Sequence, residues 1–214
     1  MKKVIGLVLS TFLSLVAFNA ASANFEAGKH YTVVSEQLSK KPEVREYFSF
    51  YCPHCFSFEP FMANVKKQLP AGAKIERNHV DFLRAASPEV QFMLSKALVT
   101  AQQLKMEDKL VGAIFNYLQV QRAVITEEKD LRNIFLLNGV DGAKFDKLFN
   151  SFAVNSKAKA MKKKQDYFSA KRALTGVPTV IVNNKYRINN QALNRNSFEK
   201  DYVELIHHLL SLDK

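Results

Sequence analysis

An aromatic-rich, largely apolar run from Val44 to Tyr51 ends in Cys52-Pro53-His54-Cys55, and a helical pattern begins at that point. This junction constrains the fold more than any other stretch. A strand without clean apolar–polar alternation is usually buried on both faces, as in the middle of a sheet. Pro53 suits the first helical position, where its missing N–H costs nothing. Residues at i and i+3 on a first helical turn have Cβ atoms about 5–6 Å apart. That is close to what a disulfide needs, since bonded Cα atoms sit roughly 4.4–6.8 Å apart. The pair can therefore open and close with little backbone movement. These are the only two cysteines in 214 residues, so the pair has nothing in its own chain to exchange with, and its redox partners are other molecules.

Two plainer readings compete. As an inert staple the pair would close only a tiny loop and would constrain the unfolded chain little. As a zinc site, Cys52, Cys55 and His54 would need a fourth ligand and a different geometry. His79 or the His207-His208 pair could be proposed for that ligand, but adjacent histidines on a helix are usually surface residues.

The first 23 residues have the pattern of a secretory signal peptide. Lys2 and Lys3 form the positive start, Val4 to Phe18 the apolar stretch, and Ala21-Ser22-Ala23 a small-residue cleavage site. The apolar stretch is short for a membrane span of about 20 residues. Cleavage after Ala23 would leave a chain beginning at Asn24. An exported protein works where disulfides persist, yet here no cysteine remains for stapling once the pair is set aside. Stability must come from the core. Net charge is +11, and the densest basic run, Lys157 to Arg172, reads as a solvated helix face. No aromatic-interleaved basic motif points to nucleic acid, and none is expected as a partner.

Along the chain, His30 to Val34 and Val44 to Tyr51 read as strands, Pro53 to Leu69 as a helix with Pro60 inside it, and Lys74 to Val80 as a strand. A helical block follows. Ser87 caps a helix running toward Leu104, with Pro88 at its first position. Glu107 to Gln119 is next, then a helix capped by Thr126 and closed by Asn138-Gly139. Gly142 to Phe149 and Lys157 to Leu174 complete the block. Thr179 to Val182 and Lys185 to Ile188 return to β around an Asn183-Asn184 turn. Asn196, with Glu199 three residues on, starts a last helix as a capping box. The expected class is α/β, a ββαβ segment and a ββα segment that pair across an inserted helical block.

A strand running into CxxC at a helix start, followed much later by Val177-Pro178 and a hairpin, resembles the thioredoxin superfamily. Cys52-Pro53-His54-Cys55, the helical insertion and the leader narrow the resemblance to the DsbA family of periplasmic thiol:disulfide oxidoreductases. Val65-Lys66-Lys67-Gln68-Leu69-Pro70, Gly176-Val177-Pro178 and Val182-Asn183-Asn184-Lys185-Tyr186 are further matching landmarks. The resemblance covers nearly all of the chain after the leader. It implies a thioredoxin-like domain of residues 24–84 and 175–214 with an all-helical domain, 85–174, inserted. It also implies disulfide introduction into unfolded or folding exported proteins, no cofactor beyond the Cys52–Cys55 disulfide, no metal, a monomer, and reoxidation by a DsbB-like quinone-linked membrane protein.

The chemistry follows from position. Cys52 lies at a helix N-terminus, where free N–H groups and the macrodipole favour a thiolate, and His54 adds to this. Cys55, one turn inside, is the more buried, resolving thiol. By resemblance the Val177–Pro178 peptide is cis, lies against the cysteines and presents Val177 backbone groups to an extended substrate. Glu46 is expected to be buried and poised to take the Cys55 proton. Arg77 stands where the family places a basic residue near that acid, and a guanidinium keeps its proton. A reductase or isomerase, and a chaperone that only holds unfolded chains, are the competing functions. Isomerases of this superfamily usually add a dimerisation domain, for which the chain has no room.

Overall fold

The computed structural model describes residues 25–212. The proposed leader, residues 1–23, lies outside them. Five strands form one mixed sheet in the order β1-β5-β4-β2-β3. They are β1 (Tyr31–Val33), β2 (Glu43–Phe48), β3 (Lys74–His79), β4 (Thr179–Val182) and β5 (Tyr186–Ile188). β2 runs parallel to β3 and antiparallel to β4, with Glu46 opposite Arg77 on one side and Val180 on the other. The N-terminal and C-terminal segments thus share one sheet. Helix α1 (Pro53–Lys67) follows β2, and α7 (Phe198–Ser211) ends the described chain. Between β3 and β4 lie α2 (Pro88–Gln103), α3 (Glu107–Phe115), α4 (Glu128–Leu137), α5 (Gly142–Phe149) and α6 (Phe152–Ala170).

Alternation along β2 explains how both faces are covered. Val44, with Val180 and Val182 of β4, packs against α1 and α7 through Met62, Val65, Tyr202, Leu205 and Ile206. Tyr47 and Ile181 point the other way, onto Phe168 of α6. Phe48 and Phe50 join the largest cluster, which takes in Cys52, Cys55, most of the buried apolar side chains of α2 to α5, and Val154 and Met161 of α6. The inserted helices therefore share their core with the cysteine-bearing loop.

Several boundaries differ from the sequence reading, each for a local reason. β2 stops at Phe48 rather than Tyr51, because the chain turns there and the Cys52 N–H donates to the Ser49 carbonyl (3.0 Å). β1 is shorter than His30–Val34 by one residue at each end. α3 ends at Phe115, and Asn116–Val120 continues as a π-helical turn. Thr126 does not cap α4. Glu127 does, and the Asp130 carboxylate accepts from the N–H groups of Thr126 and Glu127 (2.9 and 3.1 Å). α6 begins at Phe152, five residues before Lys157, because the Ser151 hydroxyl accepts from the Val154 N–H (3.2 Å), and it ends at Ala170 rather than Leu174. The N-cap of α7 is Ser197 instead of Asn196, and its hydroxyl donates to Asp201, not Glu199 (2.9 Å). The Ser87 cap with Pro88 at the first position is as expected, and Pro60 sits within α1 without ending it.

Candidate active site

The turn from Ser49 to Cys52 delivers Cys52 to the N-cap position of α1 in extended backbone. Its sulfur accepts the Cys55 backbone N–H at 3.2 Å. Both cysteines are reduced. Cys55 is fully enclosed and Cys52 is 6% exposed, while Pro53 and His54 lie at the surface. The cap geometry supplies what a thiolate needs: N–H groups with no helical partner, aimed at the sulfur.

The two thiols are driven apart. The Cys52 thiol falls to about 6. The largest cause is the hydrogen bond from the Cys55 thiol; burial opposes it, and the backbone N–H groups of Cys55 and His54 and the charge of His54 add to it. The Cys55 thiol is pushed far up, first by the hydrogen bond it donates to Cys52 and then by burial. One sulfur is thus set to carry negative charge and the other to keep its proton.

Opposite Cys52 lies the loop before β4. The Val177–Pro178 peptide is cis, and the Val177 carbonyl is 3.5 Å from the Cys52 sulfur, which donates to it when protonated. Val177 is half-buried and packs against the cluster that holds both cysteines.

Glu46 is fully buried in β2, and neither carboxylate oxygen has a hydrogen-bond partner. Its carboxyl is pushed up to about 8, chiefly by burial, with Glu59 adding and Arg77 opposing. Arg77 is buried in β3 and faces three carboxylates. It donates to Glu59 (2.9 Å) and lies 4.0 Å from Glu46 and 3.9 Å from Glu107. Burial works against the guanidinium charge, but Glu59 and Glu46 more than offset it and hold Arg77 firmly protonated. The sequence reading placed Glu46 and Arg77 together but missed Glu59 and Glu107. Glu59 had a local signal, four residues after Cys55 on the buried side of α1. Glu107 had none, since it comes from the first turn of α3.

Two further supports were not legible either. Gln119, in the π-helical turn, donates to the Phe50 carbonyl at 2.7 Å and holds the chain two residues before Cys52. His79 stacks on Phe50 (5.1 Å between ring centroids) and its Nδ1 pairs with the Ser95 hydroxyl (3.0 Å). Burial lowers this imidazole to about 3, so it stays neutral. His207 and His208 lie on α7, where His207 pairs with the Gln68 carbonyl. Among the described residues no three His, Cys, Asp or Glu side chains converge to hold a metal ion.

The family described as DSBA-like thioredoxin domain matches residues 43–202, a span holding the cysteine pair, the inserted helices and the cis-proline loop. The chain belongs to the DsbA family. The thiol:disulfide interchange protein DsbA of Haemophilus influenzae is 38% identical over 216 residues, covering 98% of this chain and 99% of its own. That of Salmonella typhimurium is 36% identical over 202 residues, covering 92% and 93%. Among solved structures, Proteus mirabilis DsbA carrying a cysteine-to-serine change, with the peptide PWATCDS bound non-covalently, superposes with a TM-score of 0.77. It is 31% identical and covers 88% of this chain and 99% of its own. The disulfide oxidoreductase DsbA of Proteus mirabilis without peptide gives 0.75 at 30% identity, covering 87% and 97%. The DsbA fold, a thioredoxin-like sheet with helices inserted before the cis-proline loop, is the fold seen here.

Proposed function

We propose that this protein is a thiol:disulfide oxidoreductase that introduces disulfide bonds into exported proteins through the Cys52–Cys55 pair. The observation that carries this is the separation of the two sulfurs, with Cys52 held as a thiolate at the α1 N-cap and Cys55 buried and protonated. A substrate thiolate attacks the Cys52 sulfur of the oxidised protein. The Cys52–Cys55 bond breaks, a Cys52–substrate disulfide forms, and Cys55 leaves and takes up a proton. A second substrate thiolate then attacks the substrate sulfur and expels Cys52 as a thiolate. The substrate leaves oxidised by two electrons and the protein is left reduced. A stabilised leaving thiolate makes the forward exchange favourable.

Glu46 is the proton store for Cys55 in this reading. At neutral pH its raised pKa keeps it mostly protonated, so it can supply the proton when Cys55 leaves and take it back on reoxidation. Arg77 acts as a fixed charge rather than a relay. Val177 and Pro178 form the substrate wall beside Cys52, supported by the 3.5 Å approach of the Val177 carbonyl and by the cysteine-containing peptide bound to the Proteus mirabilis relative. Pro53 and His54 complete the exposed lip. Residues 24–84 with 175–214 are the redox domain and 85–174 a helical domain that backs the cysteine loop. The leader reading and the family together support a periplasmic location, a monomeric state and a quinone-linked membrane reoxidase.

A trapping experiment tests the reading. Cys55→Ala should capture reduced, unfolded exported proteins as mixed disulfides through Cys52, and Cys52→Ala should capture none. Full biological activity retained by Cys52→Ala would return the protein to the class of chaperones that only hold unfolded chains.

A further inference from the structure

The redox chemistry makes no use of the strong basic excess, and part of that excess is concentrated at the opposite end of the sheet from the cysteines. There the start of β2, the start of β3, the turn between β4 and β5 and one side of α6 line an open cleft of about 490 Å³. Its lining includes Lys40, Lys41, Arg45, Lys74 and Lys164 against a single acid, Glu43. Glu43 is already committed, its two oxygens each accepting from the Arg45 guanidinium at 3.0 Å. Lys74 pairs with Glu76. Lys164 finds only a neutral acceptor, Asn184 Oδ1 at 3.3 Å, and among the described residues neither Lys40 nor Lys41 is paired with a carboxylate.

This wall is built rather than incidental. The segment carrying Lys40 and Lys41 is pinned by the Ser39 N–H donating to the Asn183 carbonyl (3.0 Å) and by the Asn184 amide donating to the Gln37 carbonyl (2.9 Å). Asn183 and Asn184 both adopt left-handed backbone (φ 50° and 59°), which presents the turn toward the cleft-forming segment. Burial, with Arg45 close by, holds the Lys164 ammonium below its ordinary value, and the Glu43 and Glu76 carboxylates only partly oppose this. Cations crowded in this way repel one another, and an anion between them relieves the repulsion.

We propose that this cleft binds an anion bearing two or more phosphoryl groups. Ammonium groups bind phosphate as point charges, and here they come from three segments, Lys40 and Lys41 from the chain before β2, Lys74 from β3 and Lys164 from α6, around about 490 Å³ of space, room for more than one phosphoryl group. No aromatic side chain lines the cleft, so it offers no platform on which a base could stack. Arg45 is the cleft residue furthest along β2, and the strand runs three residues beyond it to Phe48 before the active-site turn, about 10 Å at the usual strand rise. A bound anion therefore leaves the cysteine end free. The proposal does not depend on the redox reading. The phosphoryl groups could belong to a soluble polyphosphate or to diphosphorylated lipid headgroups on a membrane.

Calorimetric titration with tripolyphosphate, and co-sedimentation with phosphatidylcholine vesicles containing cardiolipin, both at physiological salt, distinguish the two sources. The full-length mature protein is compared with Lys41→Glu/Lys164→Gln and with Lys157→Gln/Lys159→Gln, which alters the same basic helix outside the cleft. The cleft pair should weaken binding of whichever probe binds by at least about tenfold, and the outer pair by less than about twofold. The probe that binds names the source. Equal loss in both pairs, or no binding of either probe by the unaltered protein, overturns the proposal. Should Lys164→Gln fail to fold, Lys40→Glu/Lys41→Glu on the exposed segment carries the same comparison.

Discussion

Reducing the Cys52–Cys55 bond should stabilise this protein in mildly alkaline solution, against the usual effect of a disulfide. Cys52 has a folded pKa of about 6 against about 9 for an ordinary cysteine. A depressed pKa contributes stability that is lost as pH falls through 6 and is complete only above 9. Integrating between those values gives about 0.4 kcal/mol at pH 6, about 1.4 at pH 7 and about 2.7 at pH 8. The residue is 6% exposed, but it sits at a helix end beside exposed Pro53 and His54, so solvent screens part of the charge and about two-thirds of these figures is the better expectation. The bond opposes this by limiting the unfolded chain. A four-residue loop gives about 1.9 kcal/mol in the chain-entropy account. The two effects cross near pH 8. The assay is urea unfolding of both forms from pH 6 to 8.5. The midpoint of the reduced form should climb relative to the oxidised form by an amount worth about 1.5 kcal/mol between pH 6 and pH 8. A difference that stays flat with pH would refute the thiolate argument.

Other substitutions probe the surroundings. Glu46 has a folded pKa of about 8, raised from 4.5, so the stability of the buried neutral acid is full below 4.5 and is lost as pH rises to 8. Glu46→Gln should therefore raise the urea midpoint at pH 7 by on the order of 2–3 kcal/mol and leave it unchanged at pH 4; an equal gain at both would contradict this. The same variant should slow Cys55-dependent exchange in stopped-flow assays. Gln119→Leu removes the 2.7 Å bond to the Phe50 carbonyl and should cost about 1–2 kcal/mol, with a rise in the Cys52 thiolate midpoint followed by ultraviolet absorbance. His54→Leu should raise that midpoint by less than the backbone N–H groups lower it, since His54 is the smallest of the named contributors; an unchanged midpoint would leave the Cys55 thiol hydrogen bond and the helix-end N–H groups as its causes.

The parts legible in the sequence were those with local causes. The α1 start followed from Pro53 and the cysteine spacing, and the α2 start from Ser87-Pro88. The burial of Glu46 followed from its apolar neighbours. Errors arose where two local signals competed. Thr126, Glu127 and Asp130 all suit a helix start, and only the geometry of the Asp130 carboxylate chooses among them. Ser151 outcompeted the more conspicuous lysine run as the start of α6. Glu107 and Gln119 reach the site from the inserted helices, over sequence separations of 30 and 69 residues from Arg77 and Phe50. Nothing near them in the chain announces those contacts, because tertiary packing alone creates them.

The equilibrium of the Cys52–Cys55 couple against glutathione tests the central claim most directly. A thiolate stabilised at Cys52 favours the reduced protein, so the couple should be more oxidising than glutaredoxin-like dithiols, above about −200 mV. A potential near about −270 mV, where reducing dithiols of this fold operate, would contradict the account and make the protein a reductase.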